Sequence, residues 1–379
     1  MKKIIKNITL FIMLAFLTAG RGQTGFSIET KGGYTNNTFA NYLTLPDYYT
    51  NFNAFLNYDW LEDVQGIRLF YSGSLTAFNK YQDRTYHSHK VELTYYRYWG
   101  NNGNKINAGV NASKRFHTAE YSWYELFQYN AYLNTKIVLS QQFYGYLGAN
   151  LLWQNYSILH AFSNWQNILY WRLSRFFDSG TTFILEADLL GKHYYPAGAM
   201  SNIDDLPEIV TIGEGSSQQF VGMIKAARAL TPKTGLSIQI LLRRNLTSSV
   251  RYLGSTTGYY YSDESLFDDI HGYNAQEVSL TLKKWLPWKI NLTAASTLTW
   301  KHYNQRLALD LDGSPFPDER IRADKRWTHW ISIKKMLKLG ANLQPLALSI
   351  NWTLLQNSSN DPYYNYNMNL FTFGISQNF

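Results

Sequence analysis

The sequence predicts an all-β fold, a transmembrane antiparallel up-and-down β-barrel of about 16 strands. Three observations carry this expectation. Apolar and polar residues alternate with a period of two over long segments, the links between those segments are alternately short and long, and the composition leaves few other classes open. The chain has 379 residues, 30 of them Tyr, and is 17% aromatic but only 16% charged. A polytopic helical membrane protein needs repeated apolar runs of about 20 residues, and none follows the N-terminal stretch. A disordered chain would be poorer in aromatic residues and more charged. No Cys is present, which excludes a disulfide framework, a thiolate metal site, a Cys nucleophile and a lipid-anchoring cysteine.

In chain order, residues 1–22 read as a signal peptide. Lys2, Lys3 and Lys6 make a basic start, Ile8 to Leu17 an apolar run too short to span a bilayer, and Ala19, Gly20 and Gly22 supply small residues for cleavage before Gln23. Residues 23–379 then form one barrel domain. Losing Lys2, Lys3, Lys6 and Arg21 lowers the formal charge from +8 to +4, too mild a surplus to point to nucleic acid.

The clearest strand is 48–60, with Tyr48, Thr50, Phe52, Ala54, Leu56, Tyr58 and Trp60 on one face and Asn51, Asn53, Asn57 and Asp59 on the other. Segment 288–300 repeats the pattern. Trp288, Ile290, Leu292, Ala294, Leu298 and Trp300 oppose Lys289, Asn291, Thr293, Thr297, Thr299 and Lys301. Both segments run from aromatic to aromatic. Twelve steps of roughly 3.3 Å, tilted by roughly 40°, project to about 30 Å, close to an apolar band of about 25 Å girdled by aromatic residues.

The same template centres strands near Ile28, Ala54, Leu69, Leu93, Ala108, Ala131, Leu147, Leu169, Leu185, Ile224, Ile238, Leu280, Leu292, Ile331, Ile350 and Phe373. Short links fall near 61–65, 100–104, 140–142, 178–180, 231–234, 286–287 and 337–340, and longer ones at 35–47, 79–89, 115–122, 156–164, 195–217, 247–272, 304–325 and 356–365. Tight turns at one rim and longer loops at the other are the pattern of a membrane barrel. An even strand count returns both termini to the same rim.

The last strand places Phe371, Phe373, Ile375 and Phe379 on one face, opposite Thr372, Ser376 and Asn378. Here the sequence resembles porin-like bacterial outer-membrane β-barrel proteins, whose final strand closes on an aromatic residue. The resemblance implies a place among outer-membrane lipids and insertion by the barrel-assembly machinery, with Phe371, Phe373, Ile375 and Phe379 as the assembly signal. The stretch Asn357, Ser358, Ser359, Asn360, Asp361, Pro362, Tyr363, Tyr364 is also similar to the last hairpin of exopolysaccharide-export porin barrels, although their helical-repeat periplasmic domain has no counterpart here.

Few residues suggest chemistry. His87 and His89 share a strand face and could chelate a metal, but no third ligand lies nearby and an exposed loop pair is the simpler reading. His160, Ser163 and Asn164 are the residue types of outer-membrane phospholipases, at a spacing that separates nucleophile from base. Asp310, Asp312 and Gly313 start like a calcium loop that lacks its later ligands. The expectation is therefore no catalytic site, no metal and no cofactor.

At this strand number a barrel is wide enough to hold water. Its polar face is predicted to carry Arg68, Lys90, Lys105, Lys136, Arg172, Lys192, Lys225, Arg243, Lys283, Lys289, Lys301 and Lys334 against Asp59, Glu92, Glu186, Asp188 and Glu277. The long loops carry the opposite sign, and Asp204, Asp205, Glu208, Glu214, Asp263, Glu264, Asp268 and Asp269 are expected outside. The leading functional expectation is a channel for small polar or anionic solutes through a mildly basic lumen. Arg68, Lys136, Arg172, Glu186, Asp188, Lys225, Arg243 and Lys283 are its candidate selectivity residues. The alternative is a surface receptor or adhesin scaffold, or an exit pore for an exported polymer working with partner proteins. Oligomeric state leaves no mark in the pattern.

Overall fold

Alternation with a period of two gives each strand a polar and an apolar face, and in the computed structural model sixteen such strands close into a cylinder. The structure describes residues 22–195, 209–212, 215–247, 249–253, 266, 268–338, 340 and 344–379. The wall begins with β1 (Gly22–Thr35), β2 (Asp47–Leu61), β3 (Gln65–Phe78), β4 (Tyr86–Trp99), β5 (Asn104–His117), β6 (Leu126–Ser140), β7 (Phe143–Tyr156), β8 (Asn164–Phe176) and β9 (Thr181–Tyr194). Two short strands, β10 (Ile209–Ile212) and β13 (Val250–Leu253), pair only with each other. The wall continues through β11 (Ser216–Thr231), β12 (Thr234–Thr247), β14 (Tyr273–Leu286), β15 (Ile290–Leu307), β16 (Ile321–Leu337), β17 (Leu346–Ser359) and β18 (Tyr366–Asn378).

β1 pairs with both β2 and β18, so the sheet has no open edge. Beyond β18, Phe379 extends the seam. Its N–H donates to the Phe26 carbonyl at 2.8 Å, and the two rings stack at 5.8 Å.

All sixteen predicted strand centres lie in wall strands. The short turns gather at one rim, with the start of β1 and the end of β18, and the long connections gather at the other. Leu133, Leu151, Leu169, Ile224, Ile240 and Leu280 point outward and are about half exposed, part of an apolar belt around the whole cylinder. An uncovered belt of that extent belongs in a bilayer. The structure is a membrane-spanning β-barrel.

Three local expectations are corrected. Trp288 and Lys289 do not belong to a strand. They form the turn between β14 and β15, both at φ 58°, with Trp288 80% exposed, so Lys289 leaves the lumen list. β15 and β16 also run further than predicted, pairing as far as Leu307 and Ile321, because the wall rises well past the apolar belt at the long-loop rim. The ribbon β10–β13 lies within segments read as irregular loops. Residues 1–21 of the 1–22 stretch read as a leader, and Asp204, Asp205, Glu208, Glu214, Asp263 and Glu264, lie outside the described residues.

On the inner wall, Tyr96, Tyr132 and Tyr170 each lie directly opposite a glycine of the neighbouring strand, Gly66, Gly109 and Gly148. A Cβ at Gly109 would sit 2.5 Å from the Tyr132 ring. Only glycine lets these rings fold down onto the wall, which keeps the bore open at that level.

Candidate functional site: the bore and the segment that crosses it

Strands in a barrel are tilted, so a row of directly paired residues climbs the wall as a spiral. One inward row runs Tyr98, Lys105, Lys136, Tyr146, Arg172, Glu186 across β4 to β9, starting near the short-turn rim. It continues through Met223, Leu241, Glu277 and Thr299 to Arg326, near the long-loop rim. The next row contains Tyr170, Asp188, Arg243, Lys301 and Asp324. Six of the eight predicted selectivity residues, Lys136, Arg172, Glu186, Asp188, Arg243 and, two rungs lower, Lys225, thus fall on one part of the spiral. Arg68 and Lys283 face the bore elsewhere, opposite Asp59 and Gly235.

These residues differ in how far they are already neutralised. Arg68 is bound to Asp59, with Nη2 3.2 Å from Oδ2, Arg172 is paired with Glu186, and Lys90 lies 2.5 Å from Glu92. Lys105 sits 4.3 Å above the Tyr96 ring and Lys136 4.7 Å above Tyr144. Arg243 donates to Gln219 at 2.5 Å. Among the described residues no carboxylate pairs with Lys105, Lys136, Lys225, Arg243, Lys283 or Lys334. Lys105 and Lys136 are paired in register, and their ammonium groups lean to opposite sides, onto rings of β4 and β7.

At the long-loop end, Leu266 and residues 268–272 enter the bore. Leu266 is fully buried among Tyr124, Leu126, Tyr156, Leu159 and Phe162, on the β5–β8 side. Two residues on, Asp268 accepts from Lys301 of β15 at 2.7 Å and from the Tyr303 hydroxyl, while Asp269 is bound by Lys192 of β9 and accepts from the Tyr194 hydroxyl at 2.8 Å. A short segment held by β9 on one side and β15 on the other spans four strand intervals of wall. The backbone is fixed as well, since Gln219 donates to the Ile270 carbonyl and Asn245 to the His271 carbonyl, both at 2.8 Å. Beside it the ribbon closes more of the mouth. Arg251 of β13 donates to the Ala161 carbonyl and, at 2.9 Å, to that of Tyr195, and Arg306 of β15 lies 4.0 Å above the Tyr252 ring.

The electrostatics follow from this burial. Burial pushes the Asp268 carboxyl up, but Lys301, Arg322 and Arg326 outweigh it and hold the group far below the usual carboxylate range. Against the same penalty, Lys192, His271 and their hydrogen bonds hold Asp269 down. Burial depresses the His271 imidazole to about 4 despite the nearby Asp269. Among the described residues neither ring nitrogen of His271 has a hydrogen-bond partner, so the neutral ring is the form this site accommodates.

Asp268 and Asp269 were expected outside, and the structure corrects this. They are buried in the bore, and they remove Lys301 and Lys192 from the open lining. Sequence reasoning also missed Arg251, Arg306, Arg322 and Tyr303. Arg322, Asp324 and Arg326 alternate along β16 in the pattern of an inward stripe, the one signal available, but it lay partly inside a segment read as loop. The Ser163 hydroxyl donates to Asn155 and accepts from the Tyr156 N–H, so its bonds are made away from His160. His87 and His89, expected in an exposed loop, lie on β4 facing outward.

No protein-family profile and no curated protein matches this sequence. Among solved structures the chain is similar to OpdL from Pseudomonas aeruginosa, at 9% identity and a TM-score of 0.51 over 94% of this chain and 98% of that one. It is also similar to OprD from Pseudomonas aeruginosa, at 10% identity and a TM-score of 0.50 over 94% of this chain and 95% of that one. At these identities the likeness is one of fold, that of a closed β-barrel.

Proposed function

We propose that the protein is an outer-membrane channel for small polar solutes, with a preference for anions. Its short-turn rim then faces the periplasm and its long loops the exterior. The observation that carries the preference is the in-register pair Lys105 and Lys136, flanked by Tyr98 and Tyr146 and without a carboxylate partner. Two ammonium groups that no carboxylate of the described residues neutralises add to a one-sign lining, which concentrates counter-ions. Arg243, Lys225 and Lys283 extend the same bias, against Asp188 and Glu277, inward carboxylates that make no ion pair among the described residues. Leu266 and residues 268–272 narrow the path, which favours small solutes and disfavours an exported polymer. That crossing also supports the second reading, a surface receptor whose mouth is closed until a ligand engages it.

For assembly, the outward Phe371, Phe373 and Ile375, together with Phe379 at the seam, are the residues that the barrel-assembly machinery would read. Reversal potentials across a salt gradient test the function. The expected result is anion preference that falls when Lys105 and Lys136 are both replaced by Gln. Cation preference, or a preference unaltered by that change, would overturn the assignment.

A further inference from the structure

The eight carboxylates carried by wall strands, Glu29, Asp47, Asp59, Glu92, Glu186, Asp188, Glu277 and Asp324, all face inward by the strand alternation. The outward face is charged too, but with one sign. Its basic residues fall in two bands, and β16 shows the spacing, with Lys325 near the long-loop rim and Lys335 near the short-turn rim. Ten residues at roughly 3.3 Å, tilted by roughly 40°, separate the two by about 25 Å, the height of a bilayer's apolar band. The cations therefore stand at the two headgroup levels.

One place in the long-loop band is built as more than a lone cation. On β4 and β5, His89 is directly opposite Lys114 and His87 opposite Phe116. Lys114 lies 4.3 Å above the Phe116 ring, and the His87 ring stacks on the same phenyl at 4.8 Å. The Tyr71 hydroxyl is 2.8 Å from His89 Nδ1, and His89 Nε2 is 3.1 Å from His87 Nδ1. A hydroxyl that donates to His89 Nδ1 leaves His89 Nε2 as the donor to His87 Nδ1. That in turn places the remaining proton of neutral His87 on Nε2. His87 is exposed, so the relay ends in an outward N–H donor, with the His87 ring and the Lys114 ammonium both on the Phe116 ring.

We propose that His87 and Lys114 bind the phosphate of a lipid headgroup in the outer leaflet. A point cation and an oriented N–H donor are phosphate-binding chemistry. Their position on the lipid-facing wall, at headgroup height and with no outward strand carboxylate nearby, selects a lipid over a free anion. The inference rests on the membrane-spanning reading of the barrel.

The test is native mass spectrometry of the refolded full chain with diphosphorylated lipid A, the same lipid stripped of its phosphates, and inorganic phosphate. Insertion into vesicles is scored separately by heat-modifiable migration. The expected result is roughly tenfold better retention of the phosphorylated lipid, lost in the His87→Phe/Lys114→Gln variant, with migration unchanged. Equal retention of the two lipids, or unchanged retention by the variant, would overturn the proposal. So would competition by millimolar inorganic phosphate equal to that of the lipid, or a dimer that depends on His87 and Lys114, which would assign the face to a second copy. A wild-type chain that fails to enter vesicles would instead overturn the membrane reading beneath it.

Discussion

His271 is the residue whose state sets how firmly the mouth is closed. Its imidazole lies among Asp269, Lys192 and Arg243, and burial holds it to about 4 where an ordinary histidine titrates at 6.5. The latched segment thus binds fewer protons than a released one between those values, so the latch is at full strength above pH 6.5 and weakens as pH falls toward 4. Asp268 and Asp269, held below the ordinary 3.8, keep their contribution until the pH falls below about that value. Both effects act in the same direction, with His271 responding first. Amide exchange in 268–272, corrected for intrinsic rate, is expected to rise from pH 6.5 to pH 4, and His271→Phe should remove that rise while leaving the loss at lower pH. Flat protection across the window would count against the assignment. The two aspartates were illegible in sequence for a physical reason. Their partners are 33 and 77 residues away, and an acidic loop looks solvated until a wall of buried lysines is folded around it.

Strands were the legible elements because membrane and bore impose opposite demands on alternate residues over a whole strand length. That constraint is strongest in the middle. Leu280, eighth of 14 residues in β14 and 48% exposed, faces lipid between Ile238 and Ser296. Leu280→Arg is expected to destabilise the barrel by about 2 to 4 kcal/mol in refolding titrations. Its neighbour Ser279 faces the bore beside Thr297, and Ser279→Arg should stay within about 0.5 kcal/mol. Similar losses for both would mean that the register is wrong. Where the bilayer constraint ends, the pattern fades. Trp288 keeps the alternation yet turns the chain at positive φ, and the ribbon strands have only four residues each, too few to show a period. At the seam, Phe379→Ala removes the ring stack on Phe26. It is expected to slow assembly into vesicles more than it lowers equilibrium stability, and equal effects on both would argue against a role in assembly.

For the whole molecule, the open cylinder expected from strand number is modified by what its loops do inside it. Lys192 and Lys301 are consumed in holding Asp269 and Asp268, so the proposed anion preference rests on Lys105, Lys136, Lys225 and Arg243. Passage is narrowed near the long-loop rim. Wall geometry was readable from local alternation, whereas the crossing depends on contacts between β9, β15 and one loop that no local pattern encodes. Breaking a buried ion pair by removing one partner typically costs about 3 to 5 kcal/mol, enough to release a segment held by two such pairs. Single-channel conductance in planar bilayers tests this account most directly. The wild type should give small, steady openings, and Asp268→Asn/Asp269→Asn should give a severalfold larger conductance with more flicker. Equal conductance in the two proteins would contradict the crossing as the narrow point, and no conductance in either would contradict the channel itself.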